Sequence, residues 1–569
     1  MHPGRSALRR AEACPQAGRA SSRLAPVGLL YALLVTVAPS SRAEEENAPT
    51  SCDKDAAPVT IPAGAVFGQV RIDNEDVFDL EDPKENRRLY RLANKIHVKT
   101  NPGVIERRLL FQSGDPYSLQ VLQESERLLR SAGYLYDARI CVLGFHDGVV
   151  DVSVQTRDVW TLRPSISFGR SGGENKGGIG LEEENLLGTG ISVSLEEKHD
   201  VDRNSTILGF SQPNLLGRWL NLDTSYADSS DGRTFQLTLE QPFYALDARR
   251  SRGLAVVEDD RLDPMYERGE IVDEFRHQTS SQRLSWGWSP GLQKGWTRRW
   301  TVGAVRDFEQ FSPSDVNVPT NLLPEDRELQ YPYFGFELLR DHFITSHNNN
   351  QIEKTEDFYL GPRWYGDLGL LSEALGSDRD GIVFDGLWSY GSQRTDDTKW
   401  LAGAQVSGRA ESSGGLVNAV ASASYQLYHQ QSKRRLLYVT LAADVAHDLD
   451  LDNQLLIGGD NGLRGYPLRY QGGDRRALFT IEERYFTNWY PFRLFHVAGA
   501  AFFDIGRAWG TNPFATDNLG WLKDVGFGAR FGGSRSGKGT MIHVDLAFPL
   551  DGDSSIDKVQ LVIETKRGF

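Results

Sequence analysis

From Trp160 to Phe569 the chain is a succession of segments of about nine to twelve residues in which apolar and polar side chains alternate. The pattern is plainest near the end. Val525, Phe527, Ala529 and Phe531 alternate with Gly526, Gly528, Arg530 and Gly532. Ile542, Val544, Leu546 and Phe548 alternate with His543, Asp545 and Ala547, and Val559, Leu561 and Ile563 follow in the next segment. Successive side chains of a strand point to opposite faces, so each segment owns one apolar face. Its length suits a strand that crosses a bilayer at a tilt. A soluble sandwich or propeller would turn the apolar face inward. A wide barrel turns it to lipid and lines its lumen with the polar face.

Two features favour the barrel. Aromatic residues gather near segment ends, at Trp160, Trp219, Phe243, Tyr244, Trp286, Trp288, Trp296, Trp489, Tyr490 and Trp509, where interfacial girdles need them. After the first 43 residues no apolar run approaches eighteen, so no helix there can span a bilayer. In a membrane, only a closed barrel would then satisfy the backbone. Direct counting gives about twenty candidate strands, an even number, as a single-chain barrel requires. The fold class expected is therefore mainly β: a transmembrane antiparallel barrel preceded by one small α/β domain.

Composition narrows the partners. Charged residues at 25% and hydrophobic residues at 39% argue against a bundle of membrane helices, and 57 glycines suit many tight turns. A formal charge of −14 argues against a nucleic-acid partner. The N-terminus has the form of a signal peptide over residues 1–43. Arg9, Arg10, Arg19 and Arg23 precede or flank the apolar stretch from Leu24 to Ala38, and Ser41-Arg42-Ala43 offers small residues for cleavage before Glu44. Cys14 would leave with it. Cys52 and Cys141 would remain in an oxidising compartment and could pair.

Residues 44–65 read as a flexible arm. Residues 66–160 read as a compact α/β unit. Ala65 to Ile72 is its first strand, and Pro83 to Ile96 a helix with Leu89, Leu92, Ala93 and Ile96 on one face. Pro102 to Phe111 is a second helix capped by Asn101, and Ser118 caps a third that carries Leu119, Leu122, Ser125, Leu128 and Leu129 at the 3.6 period. Leu135 to Leu143 and Val149 to Gln155 are strands joined at His146-Asp147-Gly148.

Several motifs in order resemble one family. Val104-Ile105, Leu109-Leu110-Phe111, Gly114-Asp115-Pro116-Tyr117 and Leu128 to Tyr134 are similar to a POTRA (polypeptide-transport-associated) domain. Gly458 to Tyr466 resembles the inward-loop motif of the bacterial surface-antigen family, within the outer-membrane assembly superfamily of Bam and Tam barrels and two-partner secretion pores. Ile481 to Phe486 and Phe502 to Gly506 look like the next two strands of that superfamily, and His543 to Pro549 like its penultimate strand.

The resemblance implies a barrel of sixteen strands with an in-folded loop, here residues 451–474, and five strands after it. Leu463, Arg464, Gly465 and Tyr466 would form the tip. Arg464 would meet lumen acids on the following strands, and parity along Leu478 to Arg484 and Ala498 to Asp504 allows these to be Glu482 and Asp504. Phe569 would be a C-terminal sorting signal. The implied activity is non-enzymatic: insertion or translocation of unfolded outer-membrane or secreted polypeptides. Outer-membrane lipid and periplasmic accessory proteins are the other implied partners. The segments Thr161 to Gly169 and Val559 to Phe569 would meet at a weak seam. No cofactor is implied. A passive pore or lipid-interacting barrel is the alternative.

Other motifs carry less. Gly169-Arg170-Ser171-Gly172-Gly173 matches G-x-S-x-G, but a nucleophile elbow needs a helix after the serine, and glycine-rich strand sequence follows here. A hairpin turn is the better reading, with a serine esterase using Ser171 the weakest hypothesis. Gly532 to Gly539 fails as a phosphate loop because Gly539 stands where Ser or Thr would hold magnesium. No histidine pair has metal-ligand spacing with a third partner. Asn348-Asn349-Asn350 reads as a polar turn.

Overall fold

The computed structural model describes residues 61–314, 322–514, 519–537, 540–552, 554 and 556–567. The signal segment, Cys52 and Phe569 lie outside the described residues. Among the described residues no helix is long and apolar enough to cross a membrane.

The N-terminal unit has three strands and three helices. They are β1 (Val66–Glu75), α1 (Arg88–Ile96), α2 (Pro102–Glu106), α3 (Leu119–Arg130), β2 (Leu135–His146) and β3 (Val149–Asp158). The sheet order is β1-β3-β2, with β1 parallel and β2 antiparallel to the central β3. Asp147 and Gly148 both take positive φ, the geometry of a tight hairpin between β2 and β3. Ile140, Val152 and Val154 from the sheet pack with Ile105, Leu122 and Leu129 from the helices. Phe67 stacks on Phe111 at 4.0 Å within the same core. Ser118 caps α3 by accepting from the Val121 amide. Asn101 caps α2 by accepting from the Gly103 amide at 2.9 Å.

Two helix boundaries differ from the sequence expectation, and the structure also shows which face of α1 is packed. Helix α1 begins at Arg88 rather than Pro83, because Asp82 and Glu85 side chains cap a turn there instead. Helix α2 ends at Glu106, not Phe111, and Leu109 and Phe111 reach the core from irregular backbone. The apolar stripe of α1 is not its packed face. Tyr90 is buried, with Ala93 packed beside it, whereas Leu89, Leu92 and Ile96 are 70%, 51% and 57% exposed.

A closed antiparallel barrel follows. It has 20 wall strands, from Leu162–Ser171 to Gln560–Arg567, plus a two-residue ladder extension at Leu292–Gln293. Fifteen strands precede the long loop after His447 and five follow it. The sixteen strands implied by the resemblance are thus exceeded by four hairpin-forming strands ahead of the loop. The first six run 8–12 residues, while Arg250–Glu267, Glu270–Trp288 and Trp296–Pro313 run 18–19. At 3.3 Å per residue the long strands extend roughly 60 Å, well past a bilayer core of about 30 Å. Two rims can be named by position. The near rim is the one against the N-terminal unit, and the far rim is opposite.

Side chains alternate across the wall as the sequence pattern requires. Val525 and Phe527 face out and are exposed, while Asp524 and Arg530 on the same strand face in and are fully buried. Leu284, Trp286 and Trp288 expose a second apolar run on Glu270–Trp288. A closed wall with an apolar exterior and an ionic interior is a transmembrane β-barrel of the outer-membrane kind. The wall is not uniformly zipped. Neighbouring wall strands register over seven residues or more, as in Glu174–Glu183 with Ser192–His199. The first and last strands register, among the described residues, only at Ile563 with Arg170.

Candidate functional site

Two segments enter the barrel, one from each rim. The far segment is the loop 448–474. Its stem is a small hairpin, Leu455–Ile457 with Gln471–Gly473. Its base is tied by Arg409, which donates two bonds of 2.8 Å to Asp450, and by Arg327, which donates to Asp452. Gln454 donates from Nε2 to the Tyr266 carbonyl at 2.8 Å, and Arg469 grips Asp202 with two bonds of 2.7 Å. Tyr266 sits on Arg250–Glu267, on the far side of the strand order from Arg475–Pro549. The loop therefore runs from wall to wall.

At the tip, Arg464 donates Nε and Nη2 to the two oxygens of Asp504, at 2.8 and 3.0 Å. Its Nη1 reaches Glu482 at 2.9 Å and Asp545 at 3.3 Å. The guanidinium lies 3.3 Å from the Phe502 ring centroid. Glu482 also accepts from Arg484 at 2.7 Å and from Arg530 at 2.9 Å. Arg530 donates in turn to Asp545. Three arginines (464, 484, 530) thus face three acids (482, 504, 545), and all six are buried. Burying such charges is tolerable only because they balance and are hydrogen-bonded.

The neighbouring residues hold this contact in place. The Gly465 amide donates to Asp524 at 3.0 Å, and a Cβ at Gly465 would lie 2.7 Å from the Asp524 Cβ. No larger residue fits without moving the wall. Tyr466 is fully buried beside Ile457, Leu463, Tyr470 and Leu522, and its hydroxyl donates to the Lys523 carbonyl at 2.7 Å. Ser171 ends the first barrel strand, and its hydroxyl donates to the Gly459 carbonyl. Gly172 follows with φ +56° in a turn onto the next strand, pressed against Leu468, so no helix follows the serine.

The sequence brought Leu463, Arg464, Gly465, Tyr466, Glu482 and Asp504 together as candidates, and they do meet in space. Asp545, Asp524, Arg484 and Arg530 were missed. The signal was available, since Met541, His543, Asp545 and Ala547 share one parity on Thr540–Pro549, as do Asp524 and Arg530 on theirs.

Of the near segment, 341–362, only Asn348-Asn349-Asn350 was read, as a polar turn. The segment is the longest connection at its rim. Phe343–Ser346 pairs with Glu356–Tyr359 as a hairpin, and Ile352, Phe358 and Leu360 pack on Tyr428, Leu436, Phe486 and Met541 of the wall. Arg484 donates to the Asn349 carbonyl, and Lys399 donates to the Ser346 hydroxyl at 2.6 Å. Burial pushes the Glu356 carboxyl up, while the amides of Asn349 and Asn350 pull it back. Burial also pushes the Lys354 ammonium down to about 8, although its Nζ donates to the Gly537 carbonyl at 2.6 Å.

The same hairpin seats the N-terminal unit. Arg130 of α3 grips Asp357 with bonds of 2.8 and 2.7 Å, and Thr355 donates to Asp137 of β2 at 2.9 Å. Elsewhere on the rim, Arg535 donates to the Val77 carbonyl at 2.6 Å and pairs with Glu85. Cys141 is fully buried on β2 and disulfide-bonded.

No protein-family model and no curated protein sequence matches the chain. Among solved structures it is similar to BamA from Haemophilus ducreyi lacking POTRA domains 1–3, at 13% identity, over 88% of this chain and 85% of that one, with a TM-score of 0.40. It is also similar to CdiB from Acinetobacter baumannii (13% identity, 88% and 73% covered, TM-score 0.45). CdiB from Escherichia coli gives 14% identity, 88% and 76% covered, and a TM-score of 0.44.

Proposed function

We propose that this barrel inserts or translocates unfolded polypeptides at the outer membrane, without enzymatic chemistry. The N-terminal unit is a POTRA domain in the periplasm, and it captures a client by adding a strand to an edge of its three-stranded sheet. The client then leaves through the seam between Leu162–Ser171 and Gln560–Arg567. The observation that carries this reading is that seam, registered among the described residues at one residue pair in a wall otherwise zipped over seven or more. A passive pore is disfavoured by the two in-folded segments that obstruct the lumen. An esterase is disfavoured by the Ser171 hydroxyl, which is spent on the Gly459 carbonyl. Arg464 acts as the latch of the in-folded loop, and Cys52 is the partner of Cys141.

A seam lock tests the main claim. Cysteines placed at Arg170 and Ile563, oxidised to a disulfide, should leave the barrel in the membrane while its clients vanish from the outer-membrane proteome. Each single-cysteine variant should behave as the parent. A locked barrel with an unchanged proteome would reject client handling and return the passive pore. The cysteine assignment is tested by labelling thiols on the non-reduced, denatured mature chain, where two free thiols would rule it out.

A further inference from the structure

The apolar stripe on α1 has no partner among the described residues. Leu89, Leu92 and Ile96 lie at i, i+3 and i+7, within about 60° of arc on a helix, and more than half of each side chain is exposed. The core takes a different face, through Tyr90, which stacks on Phe78 at 4.4 Å. A third face is basic. Arg88, Arg91 and Lys95 occupy the arc beside the apolar stripe, and Lys84 and Arg87 precede the helix; all five are exposed. A helix with one packed, one apolar exposed and one basic exposed face is built to lie between protein, hydrocarbon and anionic headgroups.

The position of α1 fits that role. The Tyr90 hydroxyl donates to the Phe492 carbonyl at 2.6 Å, and Arg493 pairs with Asp82 just ahead of the helix at 3.7 Å. Both contacts fix α1 to the near-rim turn between Arg475–Phe486 and Phe495–Trp509. That turn carries Trp489 and Phe492, which are 62% and 78% exposed at the edge of the lipid-facing wall. Aromatic side chains at a barrel rim mark the height of the bilayer interface. The apolar stripe of α1 is thus carried on an element tied to that aromatic rim turn.

We propose that α1 is an interfacial anchor, with Leu89, Leu92 and Ile96 seated in the leaflet at the near rim and Arg88, Arg91 and Lys95 on anionic phospholipid headgroups. The charge arrangement selects an anionic lipid surface over a polypeptide, because an unfolded client needs no basic flank. The inference does not depend on client handling; it needs only the membrane location of the barrel.

The test uses the full mature chain in vesicles, with a photo-reactive benzoylphenylalanine at position 89, 92 or 96 in separate variants. Position 143 is the control, because Leu143 on β2 is also 53% exposed but lies off α1. In vesicles containing phosphatidylglycerol, illumination should give phospholipid adducts at the three helix positions and none at 143. Replacing phosphatidylglycerol by phosphatidylcholine should lower the yield several-fold. Neutralising Arg88, Arg91 and Lys95 to Gln should lower it by roughly two- to five-fold per charge in the anionic vesicles only. Heat-modifiable migration of each variant checks that the barrel is folded. Adducts to polypeptide instead of lipid, yields no higher than at 143, or equal yields in the two lipids would each overturn the anchor.

Discussion

The two segments that enter the barrel are held by opposite physics. The far loop is held at its tip by charge, with one buried guanidinium in contact with three carboxylates. The near hairpin is held by apolar packing, with Ile352, Phe358 and Leu360 against the wall, and by dispersed polar contacts to the wall and to the N-terminal unit. An ionic contact of this kind is specific and brittle, since loss of one member leaves its partners buried and unpaired. Apolar packing is more forgiving, since its cost scales with the volume removed. The far loop is therefore built to be either in or out, and the near hairpin to loosen by degrees.

The largest expected effect comes from breaking the ionic side of that contrast. Arg464→Ala should cost about 3–5 kcal/mol of loop stability by leaving Asp504 buried without a cation and the cluster with one excess negative charge. Limited proteolysis within 448–474 should then become rapid while barrel insertion persists. Arg464→Lys should recover only part, because an ammonium cannot hold both oxygens of Asp504. A double-mutant cycle with Asp504→Asn measures the coupling directly, and strictly additive effects would mean there is no latch. On the apolar side, Phe358→Ala should cost about 3 kcal/mol. It should expose 341–362 to deuterium exchange without changing the protection of 448–474.

A smaller effect sharpens the comparison through pH. In the docked hairpin the Lys354 ammonium titrates at about 8, against 10.5 when released. Docking therefore prefers the neutral amine. The cost of burying the cation is fully present below pH 8 and fades as pH rises towards 10.5. Exchange protection of 341–362 should increase over that window, and Lys354→Met should flatten the profile. Protection that falls with pH would contradict the assignment. Arg130→Ala should have the smallest effect, about 1–2 kcal/mol, read as looser seating of the N-terminal unit.

The wall was legible in the sequence because period two is a local signal that survives in any strand. Arg464, Glu482 and Asp504 were legible through the resemblance of Gly458 to Tyr466 to an inward-loop motif, with parity along the next two strands allowing both acids to face the lumen. The near hairpin was not. Its three apolar anchors, Ile352, Phe358 and Leu360, are too sparse for a period, and their partners come from strands 70 to 190 residues further on. The packed face of α1 was not legible for a different reason. An apolar stripe says that a surface avoids water, not which neighbour covers it, and Tyr90 supplied the core contact with a ring that also carries a polar tip.

Glu482 touches both stories. It accepts from Arg464 of the far loop, and from Arg484, which also holds the Asn349 carbonyl of the near hairpin. The two segments are thus joined through one ion pair, Arg484 with Glu482. By thermodynamic reciprocity, whatever free energy hairpin withdrawal subtracts from the loop, loop withdrawal must subtract from the hairpin. Any free energy so exchanged between the two rims passes through two touching side chains, Arg484 and Glu482.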